Sequence, residues 1–245
     1  MKMLGKHIIR LDETDSTNLY AERLLQQGQA GHGTVVSAAY QSDGKGQGDN
    51  AWESEKGKNL LATFILEPVF LPAPDQFMLN KAMTLAVCDL VRAEGVVPSV
   101  KWPNDIYAGD KKLAGLLISH RVAGSTLEYS VVGIGVNLNQ EKFPASLPNP
   151  VSMKMLTGRE YDPESLLKRL IATVGNRYGQ LSSGPTDQID GDYLAHLRGL
   201  GEWKTYGLKE GTTEGKITGV DEFGRLILSM RNGKTELFSH GELIL

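Results

Sequence analysis

The stretch KWPNDIYAGDKKLAGLLI, residues 101–118, brings lysines, a carboxamide and a carboxylate together around one Trp-Pro turn. A proline turn with an asparagine cap explains only part of this composition, because it leaves the flanking lysines without a role. Asp105 is able to hold Mg²⁺ through oxygen, and Asn104 is able to orient a phosphate or a ribose. Lys101 and Lys112 are suited to neutralising phosphate charge that grows in a transition state. The stretch therefore predicts a site that handles phosphate.

A glycine-rich loop, GKGQGDN at residues 44–50, is a second candidate for phosphate contact. Glycines let backbone N–H groups approach an anion, and Lys45 supplies a positive charge. The loop lacks the Gly-Lys-Ser/Thr ending of a P-loop and the spacing of a dinucleotide fingerprint, so a mobile surface loop is an equally valid interpretation of these residues alone. Gln41 before the loop and Trp52 after it favour the functional interpretation. Trp52 is suited either to covering a flat ring or to packing against the base of the loop.

Two further polar segments lie at the ends of predicted elements. Asp15, Ser16, Thr17 and Asn18 precede a helical pattern, and such residues often serve only as a helix N-cap. The same hydroxyls and N–H groups are also able to bind the head of a neutral polar ligand. Asn137 follows GIGV at the end of a strand, and glycines inside a strand indicate that a ligand or another backbone comes close.

Hydrophobic patterning predicts the elements that must position these residues. A strand in HIIRL leads through a polar turn into a helix that Gly28 ends. Strands are expected in TVVSAAY, LLATFILEP and LEYSVVGIGVNLN, and SVKWPNDIYAGDKKLAGLLISHR reads as strand, turn and strand with a reversal at Gly109-Asp110. Helices are expected in FMLNKAMTLAVCDLVRAEG and after Pro163.

The hydrophobic pattern of the sequence changes near Gly201, where short strand patterns replace the helical ones. EGKITGV, RLILSM and TELFSH are separated by DEFG and RNGK, and Asn232-Gly233 is a strong hairpin-turn signal. We therefore predict a larger α/β domain at residues 1–183, a linker at 184–198 and a small β-barrel domain at 199–245.

Composition excludes several classes of protein. The 245 residues carry a formal net charge of -3, which gives no basic footprint for nucleic acid. The single cysteine, Cys88, forms no internal disulfide, and we predict a core position for it in a cytoplasmic protein. Neither a signal peptide nor an apolar run near the roughly 20 residues of a membrane span is present. The histidines lack metal-ligand spacing; His240 is interpreted as a structural turn residue and Lys111 as a solvated charge.

Taken in order, DSTN, YQSDGKGQGDNAW, GKNL, the 101–118 stretch, VVGIGVNLN, EGKITGVDEFGRLIL and FSHGELIL resemble the biotin protein ligases over nearly the whole chain. The resemblance implies an α/β (α+β) fold with a mixed-sheet catalytic domain and a C-terminal SH3-like β-barrel. That barrel favours a biotin ligase over a lipoate ligase. The chain resembles the monofunctional type, and because it begins almost at the catalytic strand, no N-terminal helix-turn-helix repressor domain is expected.

The resemblance also implies roles for individual residues. The catalytic residues are expected to be Lys112, Lys101 and Asp105, with Asp105 serving either Mg²⁺ or the incoming amine. The biotin site is expected to contain Ser16, Thr17, Asn18, Gln41, Lys45, Gly46, Gln47, Lys112 and Gly115. The ATP site is expected to contain Lys45, Trp52, Asn104, Asp105 and Asn137.

The glycine-rich loop departs from the family pattern. Family members usually carry Gly-Arg-Gly followed by Arg or Gln, and commonly a further Arg, whereas this chain reads GKGQGD from residue 44. Lys45 replaces a bidentate guanidinium fork with a point charge. We therefore expect weaker retention of the adenylate, with a slower reaction or leakage of the intermediate.

The implied reaction has two steps. Biotin attacks the α-phosphate of ATP to give biotinyl-5′-AMP and pyrophosphate, and a lysine of a biotin carboxyl carrier domain, from acetyl-CoA carboxylase or a related carboxylase, then takes the biotinyl group. No DNA or membrane partner is expected, and the protein is expected to be a monomer or a homodimer. A lipoate–protein ligase, a protein that binds biotin or its adenylate without transfer, and a repressor stay open as alternatives.

Overall fold

The computed structural model describes residues 4–48 and 50–244, so Asp49 of the predicted phosphate loop lies outside the described residues. Within them the chain forms five α-helices and eleven β-strands. The helices are α1 (Thr17–Gln26), α2 (Gln76–Ala93), α3 (Met153–Thr157), α4 (Pro163–Ser183) and α5 (Asp187–His196). The strands are β1 (His7–Leu11), β2 (Thr34–Ala38), β3 (Asn59–Leu66), β4 (Ser99–Lys101), β5 (Asp105–Ala108), β6 (Lys111–Ala123), β7 (Thr126–Asn137), β8 (Trp203–Gly207), β9 (Thr212–Val220), β10 (Leu226–Met230) and β11 (Thr235–Phe238).

The larger sheet has seven strands in the order β1-β2-β3-β7-β6-β5-β4. Only β1 and β2 run parallel, and every other neighbouring pair is antiparallel. The sheet is therefore mixed, and the expected α/β fold with a mixed sheet is confirmed. Strands β3, β7 and β6 lie at its centre, which places their glycines and polar side chains in the middle of the molecule.

Strand β3 shows why both faces of this sheet are covered. All eight of its residues are buried. Because successive side chains of a strand point to opposite faces, Phe64 and Leu66 enter the main core with α2 and α4, while Ile65 packs with Ala21 of α1 on the other face. Helix α1 thus lies on one face and the larger helices on the other. The functional cavity lies on the α1 face, which has the smaller apolar cluster.

The C-terminal residues form a separate antiparallel sheet in the order β11-β10-β9-β8. The hairpin predicted at Asn232-Gly233 joins β10 to β11, where Gly233 has φ 80° and its N–H donates to the Met230 carbonyl at 3.0 Å. A side chain would strain this left-handed position, so glycine is the residue that fits it. The small C-terminal β domain is present as predicted.

Four elements differ from the sequence-based expectation. Residues 99–121 contain two short strands before the reversal instead of one, and β8 and α3 were not foreseen. Helix α5 lies within residues 184–198, the range predicted as a linker. Its buried side chains are Ile189 and Tyr193 only, so its helical hydrophobic pattern is weak. The proposed domain boundaries themselves stay a prediction.

Two predictions about single features also have an outcome. Cys88 is buried in the main core, as expected, and burial raises the pKa of its thiol to about 12. Among the described residues no helix is both long enough and apolar enough to cross a bilayer.

Candidate active site

A cavity of about 350 Å³ opens where α1, the glycine-rich loop and the turn after β4 meet the face of the large sheet. Its volume falls within the range of small-molecule sites. All of the residues predicted for the site line this one cavity, although they come from distant parts of the chain. They are Ser16, Thr17, Asn18, Gln41, Lys45, Gly46, Gln47, Trp52, Lys101, Asn104, Asp105, Lys112, Gly115 and Asn137.

One end of the cavity is a neutral hydrogen-bonded network. The Gln41 side-chain oxygen accepts from the Thr17 N–H at 2.7 Å and from the Thr17 hydroxyl at 2.9 Å. The Thr63 hydroxyl lies 2.8 Å from Thr17 Oγ1 and 2.6 Å from Asn18 Oδ1, so it is shared between them. Asn18 Nδ2 donates to the Leu117 carbonyl at 3.0 Å. Because buried polar groups cost free energy unless they are paired, this network holds all four side chains in defined orientations.

The start of α1 is not explained by capping alone. Ser16 occupies the N-cap position but its side chain makes no capping hydrogen bond. Asp15 instead pairs with Arg23 at 2.7 Å and accepts from the Ser16 N–H at 2.7 Å. These contacts hold the pKa of the Asp15 carboxyl well below its usual range. Ser16 is buried at the wall of the cavity, which leaves its hydroxyl suited to ligand binding.

Glycines in β7 and β6 make room for the side chains of the site. A Cβ at Gly133 would lie 2.2 Å from Asn18 Oδ1, and one at Gly135 would lie 2.5 Å from Trp52 Cε2. Gly115 is paired with Gly135 across the strands, and a Cβ there would lie 3.0 Å from Asp105 Oδ1. Real Cβ atoms do not come as close as those of Gly133 and Gly135 would, so both glycines are required by a neighbouring side chain, and Gly115 leaves little room for one. A ligand or another backbone was expected near the glycines of β7, whereas the structure places the side chains of Asn18 and Trp52 there.

The other end of the cavity is charged and self-paired. Lys112 Nζ lies 2.7 Å from Asp105 Oδ2, and both side chains are about three-tenths exposed. The Lys112 ammonium also lies 5.9 Å from the centre of the Trp52 ring. In the loop, Lys45 Nζ pairs with Asp43 at 2.6 Å. Both lysines thus already have a carboxylate partner within this chain, which neutralises their charge in the absence of a ligand.

Trp52 lies in the cavity as well as at the base of the loop. Its ring covers Gly135 and Gly115, and the backbone N–H of Trp52 donates to the carbonyl of Gly44 at 2.8 Å. Its indole Nε1 is buried and has no hydrogen-bond partner among the described residues. A buried indole N–H usually finds a partner, so this one is a donor available to a ligand.

The backbone of Lys112 is fixed by a segment that the sequence analysis did not identify. The Lys112 N–H donates to the Asn149 carbonyl at 2.8 Å, and the Val151 N–H donates to the Lys112 carbonyl at 2.9 Å. Asn137 Nδ2 donates to the Val151 carbonyl at 3.0 Å. Asn137, expected on the nucleotide side, thus lines the cavity and also anchors the segment that holds Lys112. Its role towards a ligand stays a prediction.

The turn after β4 is supported from outside the large sheet. Trp102 Nε1 donates to the Gly224 carbonyl at 2.9 Å, and its ring lies 5.7 Å from that of His240. The Tyr193 hydroxyl donates to the Pro103 carbonyl at 2.6 Å. His240, interpreted from sequence as a structural turn residue, packs on the turn and also lines the cavity. None of these three contacts is visible in sequence, because the partners lie far apart along the chain.

The family follows from comparison with known proteins. Residues 10–137 match the model of the Biotin/lipoate A/B protein ligase family, which covers more than half of the chain. The chain belongs to this family. A biotin--[acetyl-CoA-carboxylase] ligase of Paracoccus denitrificans is 32% identical over 89% of this chain and 92% of its own length. The bifunctional ligase/repressor BirA of Bacillus subtilis is 28% identical over 97% of this chain and 74% of its own length.

Among solved structures, a biotin protein ligase of Aquifex aeolicus in complex with biotin and ATP has a TM-score of 0.80. It is 26% identical, and the match covers 97% of both chains. The structural similarity to this biotin protein ligase therefore extends beyond the residues that match the family model and includes the C-terminal β domain.

The donor set of this family member suits a metal ion that is carried by the nucleotide. Among the described residues there is no cluster of three His, Cys, Asp or Glu that could hold a metal by itself. Mg²⁺ is commonly bound through one or two carboxylates together with substrate phosphates. Asp105 is a carboxylate that lines the cavity, so its chemistry fits that arrangement.

Proposed function

We propose that this protein activates biotin with ATP to form biotinyl-5′-AMP and transfers the biotinyl group to a lysine of a biotin carboxyl carrier domain. The observation that carries the proposal is the division of one cavity into a neutral, hydrogen-bonded end and a charged end. Biotin has a neutral polar head and an acidic tail, so it matches both ends in the same order. The family membership and the biotin ligase relatives support the same conclusion.

At the neutral end, the ureido head of biotin is bound without charge. The Gln41 oxygen is already occupied by Thr17, so the amide Nε2 of Gln41 is the group left to donate to a ligand. Ser16, Thr17 and Asn18 add hydroxyl and amide groups at the start of α1. A site of this kind rejects analogues that lack the matching polar atoms, because its own groups would then stay unpaired. Lipoate lacks a ureido head.

At the charged end, lysines allow two anions to meet. The carboxylate of biotin and the triphosphate repel each other, and positively charged side chains aimed at the reacting phosphorus lower that barrier. Lys112 reaches this point because β6 and the 149–151 segment fix its backbone. Lys101 and Lys45 lie on the wall of the same cavity and add charge on the triphosphate side.

Asp105 has two successive roles in the proposal. When Lys112 turns towards substrate, the Asp105 carboxylate is freed from their 2.7 Å contact. Mg²⁺ bound with ATP would supply additional neutralisation of phosphate charge at this point. In the second step Asp105 orients the incoming lysine amine; the nitrogen bonds to the biotinyl carbonyl carbon, the bond from that carbon to the phosphate oxygen of AMP breaks, and the amine proton passes to the Asp105 carboxylate or to the phosphate of the departing AMP.

The indole of Trp52 and the loop before it are proposed to cover the nucleotide. The unpaired Nε1 of Trp52 is a donor beside the charged end. Ordering of residues 44–50 over the ligands would exclude water, which would otherwise hydrolyse the acyl-adenylate. Lys45 already has Asp43 as a partner, so the loop has to exchange an internal contact for a ligand contact. That exchange agrees with the expected weaker retention of the adenylate.

The direct test combines labelled biotin, ATP and a purified biotin carboxyl carrier domain, with covalent transfer and pyrophosphate release as the readouts. Transfer of label to the carrier domain is the expected result. Pyrophosphate release with lipoate and none with biotin would make the protein a lipoate ligase. Tight biotin binding with an unlabelled carrier domain would make it a binding protein.

A further inference from the structure

Tyr193 of α5 hydrogen-bonds to the turn that bears the predicted nucleotide ligands. It is completely buried, and its hydroxyl donates to the Pro103 carbonyl at 2.6 Å. The two residues are 90 positions apart in sequence. Pro103 is followed directly by Asn104 and Asp105, which line the cavity.

The hydrogen bond that the Pro103 carbonyl accepts from Tyr193 fixes the orientation of the peptide unit between Pro103 and Asn104. The Pro103 carbonyl and the Asn104 N–H belong to one planar group, so the direction of the carbonyl sets the plane at Asn104. Proline has no N–H and cannot add a backbone hydrogen bond of its own to hold the turn. Asn104 is only 6% exposed and therefore has little freedom to adjust if that plane rotates.

Helix α5 is anchored firmly enough to hold Tyr193 in place. Lys81 of α2 is 4% exposed, and its ammonium lies 2.6 Å from the carboxylate of Asp190. The same ammonium lies over the rings of Phe77 and Tyr193, at 5.4 Å and 5.8 Å from their centres. A buried cation with these partners joins α2 to α5. These contacts hold Tyr193 in a fixed position against α2.

We propose that Tyr193 is a positioning residue for the nucleotide end of the cavity, acting through the Pro103 carbonyl on Asn104 and Asp105. The proposal rests on the proposed function, since it assigns these two residues to ATP. In this proposal α5 contributes to ATP affinity, whereas the biotin end is built by α1, β3 and the segment that follows β2.

Burial, with a smaller contribution from nearby Cys88, raises the pKa of Tyr193 far above its usual value. The hydroxyl therefore keeps, at neutral pH, the proton that it donates to the Pro103 carbonyl.

Tyr193→Phe removes only the donor and keeps the ring. The measurement is pyrophosphate release as a function of ATP concentration at saturating biotin, normalised to active sites, together with calorimetric binding of biotin. We expect the KM for ATP to rise about tenfold, as for loss of a hydrogen bond in a buried site, while the Kd for biotin changes less than about twofold. The matched control is Tyr206→Phe, since Tyr206 is buried with a hydroxyl that has no partner among the described residues.

The outcomes separate this proposal from the proposed function. A wild-type protein that releases no pyrophosphate with biotin and ATP would overturn the proposed function itself. An active wild type with an unchanged KM in Tyr193→Phe, or with equal changes in both tyrosine variants, overturns the positioning role alone. A fall in kcat without a change in KM also overturns it, because that result describes general loss of structure.

A second variant covers the case in which Tyr193→Phe does not fold. Asp190→Asn weakens the ion pair that holds α5 on α2 while keeping the shape of the side chain, which is two-fifths exposed. A rise of about threefold in the KM for ATP, with biotin binding unchanged, is then expected because a charged hydrogen bond becomes a neutral one. An unchanged KM in this variant overturns the proposal.

Discussion

The two ends of the cavity are built in opposite ways. At the end proposed to bind biotin, Thr17, Asn18, Gln41 and Thr63 are buried, neutral and bonded to one another. At the end proposed to bind the nucleotide, Lys45 and Lys112 are part-exposed, charged and paired with carboxylates of the same chain. In the proposed function, the first end keeps its internal contacts when the ligand binds, whereas the second end exchanges its internal partners for those of the ligand.

This difference has a physical cause. Neutral groups lose little by being buried as long as each is hydrogen-bonded, so a site for a neutral head is able to form in advance. Several ammonium groups held close together repel one another unless anions are present, and Asp105 and Asp43 serve that purpose. We therefore expect substitutions at the neutral end to change biotin binding, and loss of a cation at the charged end to change the chemical step.

The largest effect is expected for Lys112→Ala. Removal of a cation aimed at the reacting phosphorus should lower the rate of pyrophosphate release by about 10²–10³-fold, while biotin binding is affected far less. Lys111→Ala is the matched control, because the neighbouring side chain is exposed. Normal pyrophosphate release in Lys112→Ala would remove the proposed role of the charged end.

The next effect is expected for Gln41→Ala, which removes the acceptor of two hydrogen bonds from Thr17. The same change removes the Nε2 donor proposed for the ureido head, and leaving that buried acceptor of biotin unpaired costs about 1–3 kcal/mol, which corresponds to roughly a 5- to 150-fold rise in the Kd for biotin. Calorimetry with biotin measures it, and Gln29→Ala at an exposed position is the control. A larger effect on ATP than on biotin would reverse the assignment of the two ends.

A pair of glycine substitutions tests the boundary between the ends. Gly133→Ala pushes on Asn18 and Gly135→Ala pushes on Trp52. Overpacking of this kind typically costs about 1–3 kcal/mol, so Gly133→Ala should weaken biotin binding about tenfold and Gly135→Ala should weaken nucleotide binding by a similar factor. Identical profiles for both variants in calorimetry would mean that the cavity behaves as one unit.

A smaller effect is expected when biotin and ATP are added during tryptic cleavage of the glycine-rich loop. Trypsin cleaves after Lys45, which is exposed in the structure. Biotin with ATP should slow this cleavage, because an ordered loop opens less often to the protease. Cleavage after Lys209, in the exposed loop between β8 and β9, is the internal control. Equal cleavage at Lys45 with and without ligands would contradict ordering of the loop.

The smallest effect is expected when pH is varied at the biotin end. Arg23 and the Ser16 N–H hold the pKa of Asp15 well below its usual range. A carboxyl with a depressed pKa contributes its stabilisation above its unfolded pKa, and loses it only as pH falls through the folded value. The Kd for biotin should therefore change less than about twofold between about pH 5.5 and 8. A steep dependence in calorimetry would show that a titrating group binds the head of the ligand.

Much of the site was determined by the sequence itself. Lysines around KWPND, glycines inside β7 and polar residues before α1 are local features, and each predicted residue lies in the cavity. Residue type and strand periodicity are properties of neighbouring positions, so they are readable along the chain. The same is true of the hairpin at Asn232-Gly233, which depends on one left-handed backbone position.

The tertiary structure alone decided which distant groups meet. Thr63 joins the biotin end because β3 passes beneath α1, and Tyr193 supports Pro103 because α5 docks on α2. The pairing of Lys112 with Asp105 likewise follows from the register of β5 against β6. Hydrogen bonds and ion pairs between segments depend on how sheets and helices pack in space, and no local pattern of residues encodes that packing.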